Sequence, residues 1–406
     1  MKIFITDITK SSVLFKIKKI YQNQVSLWYN IDCWLEVRFL FKFRVRPLFL
    51  FLISIFFIGL ASKYNEATEL IYTNVINKFI REKLSSLFSY VPFPVGDVLT
   101  ILFIGLIIYC IVTLIRRLKK TSNVFEFLYK LFWGVVNVSS ILFFVYVIMF
   151  GLNYHTPSVS KVLIDKYNSK YATDIKVDID NAKRVEVYNF LVDKAKETRK
   201  LALDSETKYS TNNINLVSEK ADEGYRMISD AFPTVAGNYG NAKLSIKSPV
   251  LNFFGLDGRH YNLTNEISLN KKIPEDYLPF IVCKYMAYQR GVAKEDEACF
   301  YAYMACINNT DPKFKYSGYL SALEYVISTL RKNDKIDYNN LIVNLDPEIR
   351  RDLNAIEGYQ SQYGFGTELK DQFMYKFKRL NGDIRVDDID TQVTDLIATY
   401  YSLFTY

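Results

Sequence analysis

Three apolar stretches, residues 47–62, 95–115 and 131–152, set the first constraint on this chain. A helix needs about 20 mostly apolar residues to cross a hydrocarbon core of roughly 30 Å, where backbone polar groups find partners only within the helix. The second and third stretches meet that length. The first is shorter, and Arg44 and Arg46 just before it can extend it by reaching to the headgroups. A cleaved export signal does not fit, because 46 residues precede the first stretch, far more than a short basic leader. The reading is three transmembrane helices within residues 47–152.

Basic residues set the expected orientation. Lys42, Arg44 and Arg46 precede the first span, and Arg116, Arg117, Lys119, Lys120 and Lys130 lie between the second and third. The segment 63–97 mixes Glu66, Glu69, Glu82 and Asp97 with Lys63, Lys78, Arg81 and Lys83, and reads as a loop. Loops rich in Lys and Arg stay in the cytoplasm. The N-terminus and the second loop are therefore expected there, with everything after about Asn153 outside. Residues 1–46, basic and aromatic, read equally as a strip on the inner leaflet or as an extension without a role. The net charge of +8 gathers beside the apolar stretches, so lipid headgroups account for it. No zinc-finger, RNP or helix-turn-helix pattern accompanies it, and no nucleic-acid partner is expected.

Beyond Asn153 the chain turns polar, with apolar residues at helical spacing, as in Val185, Tyr188, Val192 and Ala195. Helices are expected over Leu278–Gln289, between Pro274 and Gly291, and over Lys294–Ile307, closed by Asn308, Asn309 and Pro312. Later ones fall at 319–330, 347–359, 370–380 and 391–403. The best strand candidate is Ala242–Ile246. The fold class is mostly α: three N-terminal spans, then a mainly helical domain, residues 153–406, with little strand. Five cysteines form no framework. Cys33 and Cys110 belong to the membrane part; Cys299 and Cys306 share a helix face as small core residues, and one disulfide stays open.

A resemblance runs through several segments. The stretch Leu278-Pro-Phe-Ile-Val-Cys-Lys-Tyr-Met-Ala-Tyr-Gln-Arg-Gly-Val-Ala-Lys-Glu-Asp-Glu-Ala-Cys-Phe-Tyr-Ala-Tyr-Met-Ala305 resembles the bacterial membrane family DUF3810. So do Gly151-Leu-Asn-Tyr154, Thr264-Asn-Glu-Ile-Ser-Leu-Asn270, Phe314-Lys-Tyr-Ser-Gly-Tyr-Leu320 and the pair Asn381-Gly382, in the same order from about Arg46 to the end. Members typically read His-Glu-x-Ala-His-Gln in the first of these helices. The resemblance implies spans followed by a gluzincin-like, zinc-peptidase domain facing outward from a bacterial cell membrane. On such a helix two imidazoles one turn apart hold the ion, a glutamate activates water, and a third ligand comes from the next helix.

Carried over position by position, the first ligand is Lys284, the base Tyr285, the second ligand Tyr288 and the third ligand Glu297. Only Glu297 keeps ligand chemistry. A protonated lysine has no lone pair to give, and a tyrosine near pKa 10 is a poor ligand and base at neutral pH. Zinc and hydrolysis are therefore not expected, and no cofactor is assigned. Lys284, Glu297 and Tyr288 are expected either to cluster in place of the ion, or to part, with Lys284 reaching solvent and Glu297 exposed in a first helical turn beside Glu295 and Asp296. The expected function is that of a catalytically inactive, membrane-anchored relative of metallopeptidases, binding a peptide, an envelope component or a membrane partner besides the lipid bilayer. Two alternatives stand beside it: an active hydrolase with an atypical site, such as Glu297 with His260, and an accessory subunit of a membrane complex.

Overall fold

The computed structural model describes residues 48–404, apart from 120–122, 333–337, 344, 362–363, 384 and 386–387; the segment 1–46, Pro47 and Cys33 lie outside the described residues. Helices dominate. In order they are α1 Leu48–Lys63, α2 Asn65–Ser89, α3 Val95–Leu118, α4 Val124–Met149, α5 Val159–Tyr171, α6 Asn181–Leu203, α7 Ile214–Ile228 and α8 Ser248–Phe253. After a small sheet follow α9 Leu278–Gln289, α10 Glu295–Ile307, α11 Pro312–Arg331, α12 Tyr338–Val343, α13 Pro347–Gln360, α14 Gly364–Leu380 and α15 Ile389–Phe404.

The chain divides into two compact units, one from the described parts of 1–56 and 117–145, the other from 57–116 and 146–406. In the first, the rings of Phe51 and Phe143 meet at 5.3 Å, and Ser54 and Ser140 return their hydroxyls to carbonyls one turn back. The second holds the globular fold.

Two helices, α3 and α4, are long and apolar enough to cross a membrane, and a third crossing is counted if the bent pair α1 and α2 makes one. The apolar stretches at 47–62 and 95–115 correspond to α1 and α3. The third differs: α4 covers Val124–Met149 instead of 131–152. It starts early because the Asn123 side chain accepts the Glu126 amide and Glu126 pairs with Lys130 one turn on. It stops early because Phe150 leaves helical geometry, while Tyr72 and Asn77 bond the carbonyls of Ile148 and Met149.

The segment 63–97, read as a loop, is mostly the helix α2. Its Thr68–Asn77 portion is wound as a π-helix. Its buried residues are Thr68, Thr73, Asn77, Arg81 and Ser85, about one polar side chain per turn. Thr73 and Asn77 bond Asn153, and Ser85 bonds the Gly240 amide and Gln289. This inverted pattern, polar inside and apolar outside, is why α2 does not look like a globular helix in the sequence.

The sheet has the order β1–β3–β2, with β1 Lys243–Leu244, β2 Gly258–Tyr261 and β3 Glu266–Leu269. β1 lies parallel to β3, with Lys243 opposite Ser268, and β2 antiparallel, with Gly258 opposite Leu269. The strand expected at Ala242–Ile246 is thus a two-residue strand; the longer hairpin of β2 and β3 has no clear alternation to announce it. The hairpin turns through Asn265 at φ 50°, a left-handed position that asparagine tolerates.

Carboxylates fasten the sheet to the foot of α3. Glu266 accepts the amides of Val95 and Gly96, free donors of a helix start, and pairs with Lys243. Asp97 accepts from Ser245 Oγ, the Ile246 amide, Tyr261 Oη and Ser268 Oγ.

The core centres on α11, which packs against α6, α9, α10 and α15. Helices α9 and α10 are mostly apolar and buried on nearly every side, as such helices must be. The α9 bounds match the expected ones. α11 begins at Pro312, seven residues before the expected start, because Asp311 caps it and proline suits a first turn. Cys299 and Cys306 are buried core residues, and Cys306 lies 3.6 Å from Cys283.

Candidate functional site

Lys284 lies in the middle of α9, 7% exposed. Gly291, at φ 92°, lets the chain leave α9 in a tight reversal, and α10 begins at Glu295. This turn decides which acid of Glu295-Asp296-Glu297 faces α9. It is Glu295: its Oε1 lies 3.1 Å from Lys284 Nζ, and its Oε2 lies 2.9 Å from Lys378 Nζ on α14. Glu297 faces the other way. Its Oε1 pairs with Lys294 at 3.1 Å and accepts the Val159 amide. Asp296 pairs with Arg385.

The expected cluster of Lys284, Glu297 and Tyr288 is therefore corrected. Lys284, Tyr285 and Tyr288 come together, with the two tyrosine rings 5.7 Å apart, but the acid among them is Glu295. The open alternative is corrected too, since both Lys284 and Glu297 are buried. A helix start exposes three successive acids to three directions, and spacing along the chain does not say which one turns inward.

The electrostatics follow from burial and pairing. Burial opposes the charge on Lys284, yet Cys299, Tyr325, Glu295 and Tyr288 around it outweigh this and hold the ammonium well above its usual range. Burial would raise the Glu295 carboxyl, but Lys284 and then Lys378 hold it well below the usual range. Burial, then the carboxylate of Glu295, pushes the Tyr288 phenol up; burial, then Asp257, does the same to Tyr285. The Tyr285 hydroxyl donates to the Gly258 carbonyl of β2 at 2.8 Å. Burial lifts the Cys299 thiol to about 11, and its sulfur lies 3.3 Å from the Tyr325 hydroxyl.

Two further acids, Asp257 and Glu324, lie near the site, and Glu297 lies on the far side of α10. Burial raises Asp257, which Lys284 and Lys370 partly offset. Burial, with Asp390 nearby, lifts Glu324 to about 8. Burial lifts Glu297 to about 7 against the pull of Lys294. Lys378, Asp257 and Glu324 carried no sequence signal, because helices and strands far apart in the chain bring them here.

At the core of this site the ammonium stays charged, the phenols stay protonated and the one carboxylate is shared by two lysines. A zinc ion needs neutral imidazoles, thiolates or free carboxylates. The donors at 284, 285 and 288 do not fit one. Among the described residues, no three His, Cys, Asp or Glu side chains gather where they could hold a metal ion. His260 bonds Asn265 at 2.8 Å and packs on Phe150, and burial lowers it to about 4. His155 bonds Ser62.

Together these features define a mostly helical protein with membrane-length helices and, between two core helices, an ion pair of a buried lysine with a half-buried glutamate. The family model described as a protein of unknown function, DUF3810, matches residues 72–383, and the chain belongs to that family. No curated protein and no solved structure matches the chain.

Proposed function

We propose that this chain is a membrane-anchored, catalytically silent relative of metallopeptidases, whose surface around Lys284 and Glu295 binds a peptide, an envelope component or a membrane partner. In this reading the N-terminus is cytoplasmic and the helical domain lies outside a bacterial membrane. The observation that carries it is the ion pair of Lys284 with Glu295, a fixed positive charge where the related helix would place a metal ligand. An ammonium balanced by a carboxylate on the next helix keeps that acid ionised without a metal.

Metal content and peptide cleavage of the detergent-purified full chain test the proposal. The expected result is far less than one zinc per chain, a melting curve unchanged by chelator and no chelator-sensitive cleavage. One zinc per chain with chelator-sensitive cleavage would overturn it. For the orientation, a periplasmic-type phosphatase fused after Phe404 is expected to be active; an inactive fusion with a fluorescent cytoplasmic counterpart reverses the assignment.

An active hydrolase using Glu297 with His260 finds no support in the geometry. Glu297 is engaged by Lys294 and Val159, and His260 by Asn265 and Phe150.

A further inference from the structure

We infer that α2 is an in-plane membrane helix, with lipid along its outer face and the globular fold along its inner face. The partner is the bilayer surface at the level where α1 ends and α3 begins.

One end leads into the membrane-length helix α3, and the other follows the shorter apolar helix α1. α1 turns by 107° into α2, and α2 is followed after five residues, Tyr90–Pro94, by α3. The helix spans 25 residues, on the order of 35 Å. It does not serve as part of a broken crossing, because the globular fold grips it from end to end. Glu66 bonds Lys161, Glu69 bonds Thr234, Thr73 and Asn77 bond Asn153, Glu82 accepts the Asn238 amide, and Ser85 bonds Gly240. A segment held along its length by a water-facing fold, and leading into the membrane-length helix α3 at one end, lies along the membrane surface.

The outer face has the matching chemistry. Leu70, Ile71, Val75, Phe79, Leu87 and Tyr90 are exposed, Leu70 at 65%, Phe79 at 60% and Leu87 at 63%. They form an apolar face, interrupted at Lys83, with more exposed large side chains than an ordinary surface scatters. All three acids of the helix, Glu66, Glu69 and Glu82, are taken by the globular fold, whereas Lys63 and Lys83 are exposed. Lys83 lies over the Phe79 ring at 5.6 Å, where its stem covers apolar surface and its ammonium can reach a lipid phosphate. The strip continues past the foot of α3 in Ile246, which is exposed and whose amide bonds Asp97.

Spin labels on the full chain reconstituted in phosphatidylethanolamine–phosphatidylglycerol vesicles test this. In a Cys33→Ser, Cys110→Ser background, single labels are placed by Ile71→Cys, Val75→Cys and Phe79→Cys. Leu201→Cys and Met227→Cys report exposed sites on α6 and α7, and Leu106→Cys the middle of α3. Oxygen accessibility relative to a water-soluble nickel chelate is read at each. The expected ratio at 71, 75 and 79 is clearly above that at 201 and 227, and below that at 106. Ratios at 75 and 79 equal to those at 201 would overturn the inference in favour of water or a protein partner. Ratios equal to that at 106 would overturn it in favour of deep insertion.

Discussion

Lys284 on α9 and Glu295 on α10 are eleven positions apart in the chain and 3.1 Å apart in space, joined across the Gly291 turn. The pair sets the character of the site. Truncating the lysine leaves Glu295 with Lys378 alone and opens a hole in a packed helix face. Lys284→Ala is expected to cost about 2–4 kcal/mol. Lys284→Met, which keeps the volume, is expected to cost clearly less. Chemical or thermal melts of the two purified variants check this; equal and negligible losses would show that the pair contributes nothing.

Gly291 supports the same geometry from behind. Its φ of 92° suits glycine, and a Cβ there would sit 2.1 Å from Arg81 Nη1. Arg81 is buried and already bonds the carbonyls of Thr73 and Asn77, so it has little room to retreat. Gly291→Ala is expected to destabilise by about 2 kcal/mol or more, combining backbone strain with a clash. An unchanged melting temperature would contradict this.

Asp97 is the acceptor for four donors at the foot of α3. Asp97→Asn keeps the shape but turns an amide donor toward donors. The expected loss is about 2–3 kcal/mol. Because the change lies at the junction of α3 and the sheet, limited proteolysis of the variant in detergent is expected to cut near residues 90–97 faster than in the parent. The same cutting rate would argue against a clamp.

The pH profile carries a signature of Glu324. In the folded chain it holds its proton up to about 8, whereas an unfolded glutamate releases it near 4.3. Between those values the folded state binds more protons, so stability falls as pH rises through the window. Glu324→Gln removes that slope. Relative to the parent, the variant is expected to gain on the order of 1–2 kcal/mol between pH 5 and pH 8, with screening at a half-buried position allowed for. Parallel pH–stability curves for the two proteins would refute the assignment.

The legible parts of this fold are those where local chemistry decides. Pro274 just ahead of it and Gly291 just beyond its end bounded α9, and continuous apolar composition marked the cores of α3 and α4. Helix starts were less legible where the same residues close one element and open another. Pro312, read with Asn308 and Asn309 as the close of α10, in fact starts α11, with Asp311 as its cap. α2 was hidden because its buried side is polar; Thr73, Asn77, Arg81 and Ser85 recur every four residues, a period that was present but lacked the apolar residues usually taken to mark a buried face. In the site, Lys284, Tyr285 and Tyr288 share a helix and so were foreseeable as neighbours. The choice of Glu295 over Glu297 was not, since it depends on the angle at which α10 leaves the Gly291 turn. Lys378 reaches the site from a helix 83 positions after Glu295, beyond any local pattern.

The bonds of Glu266 to the first turn of α3, and of Asp97 in that turn to the sheet and its flanks, make that long helix a stalk rooted in the sheet rather than a leash. The root continues inward, because β2 beside β3 carries the carbonyl that Tyr285 grips, one residue along from Lys284. A lean of α3 is thereby a lean of the strand that Tyr285 holds, and the outermost turn of a long apolar helix becomes a lever on the buried lysine beside it.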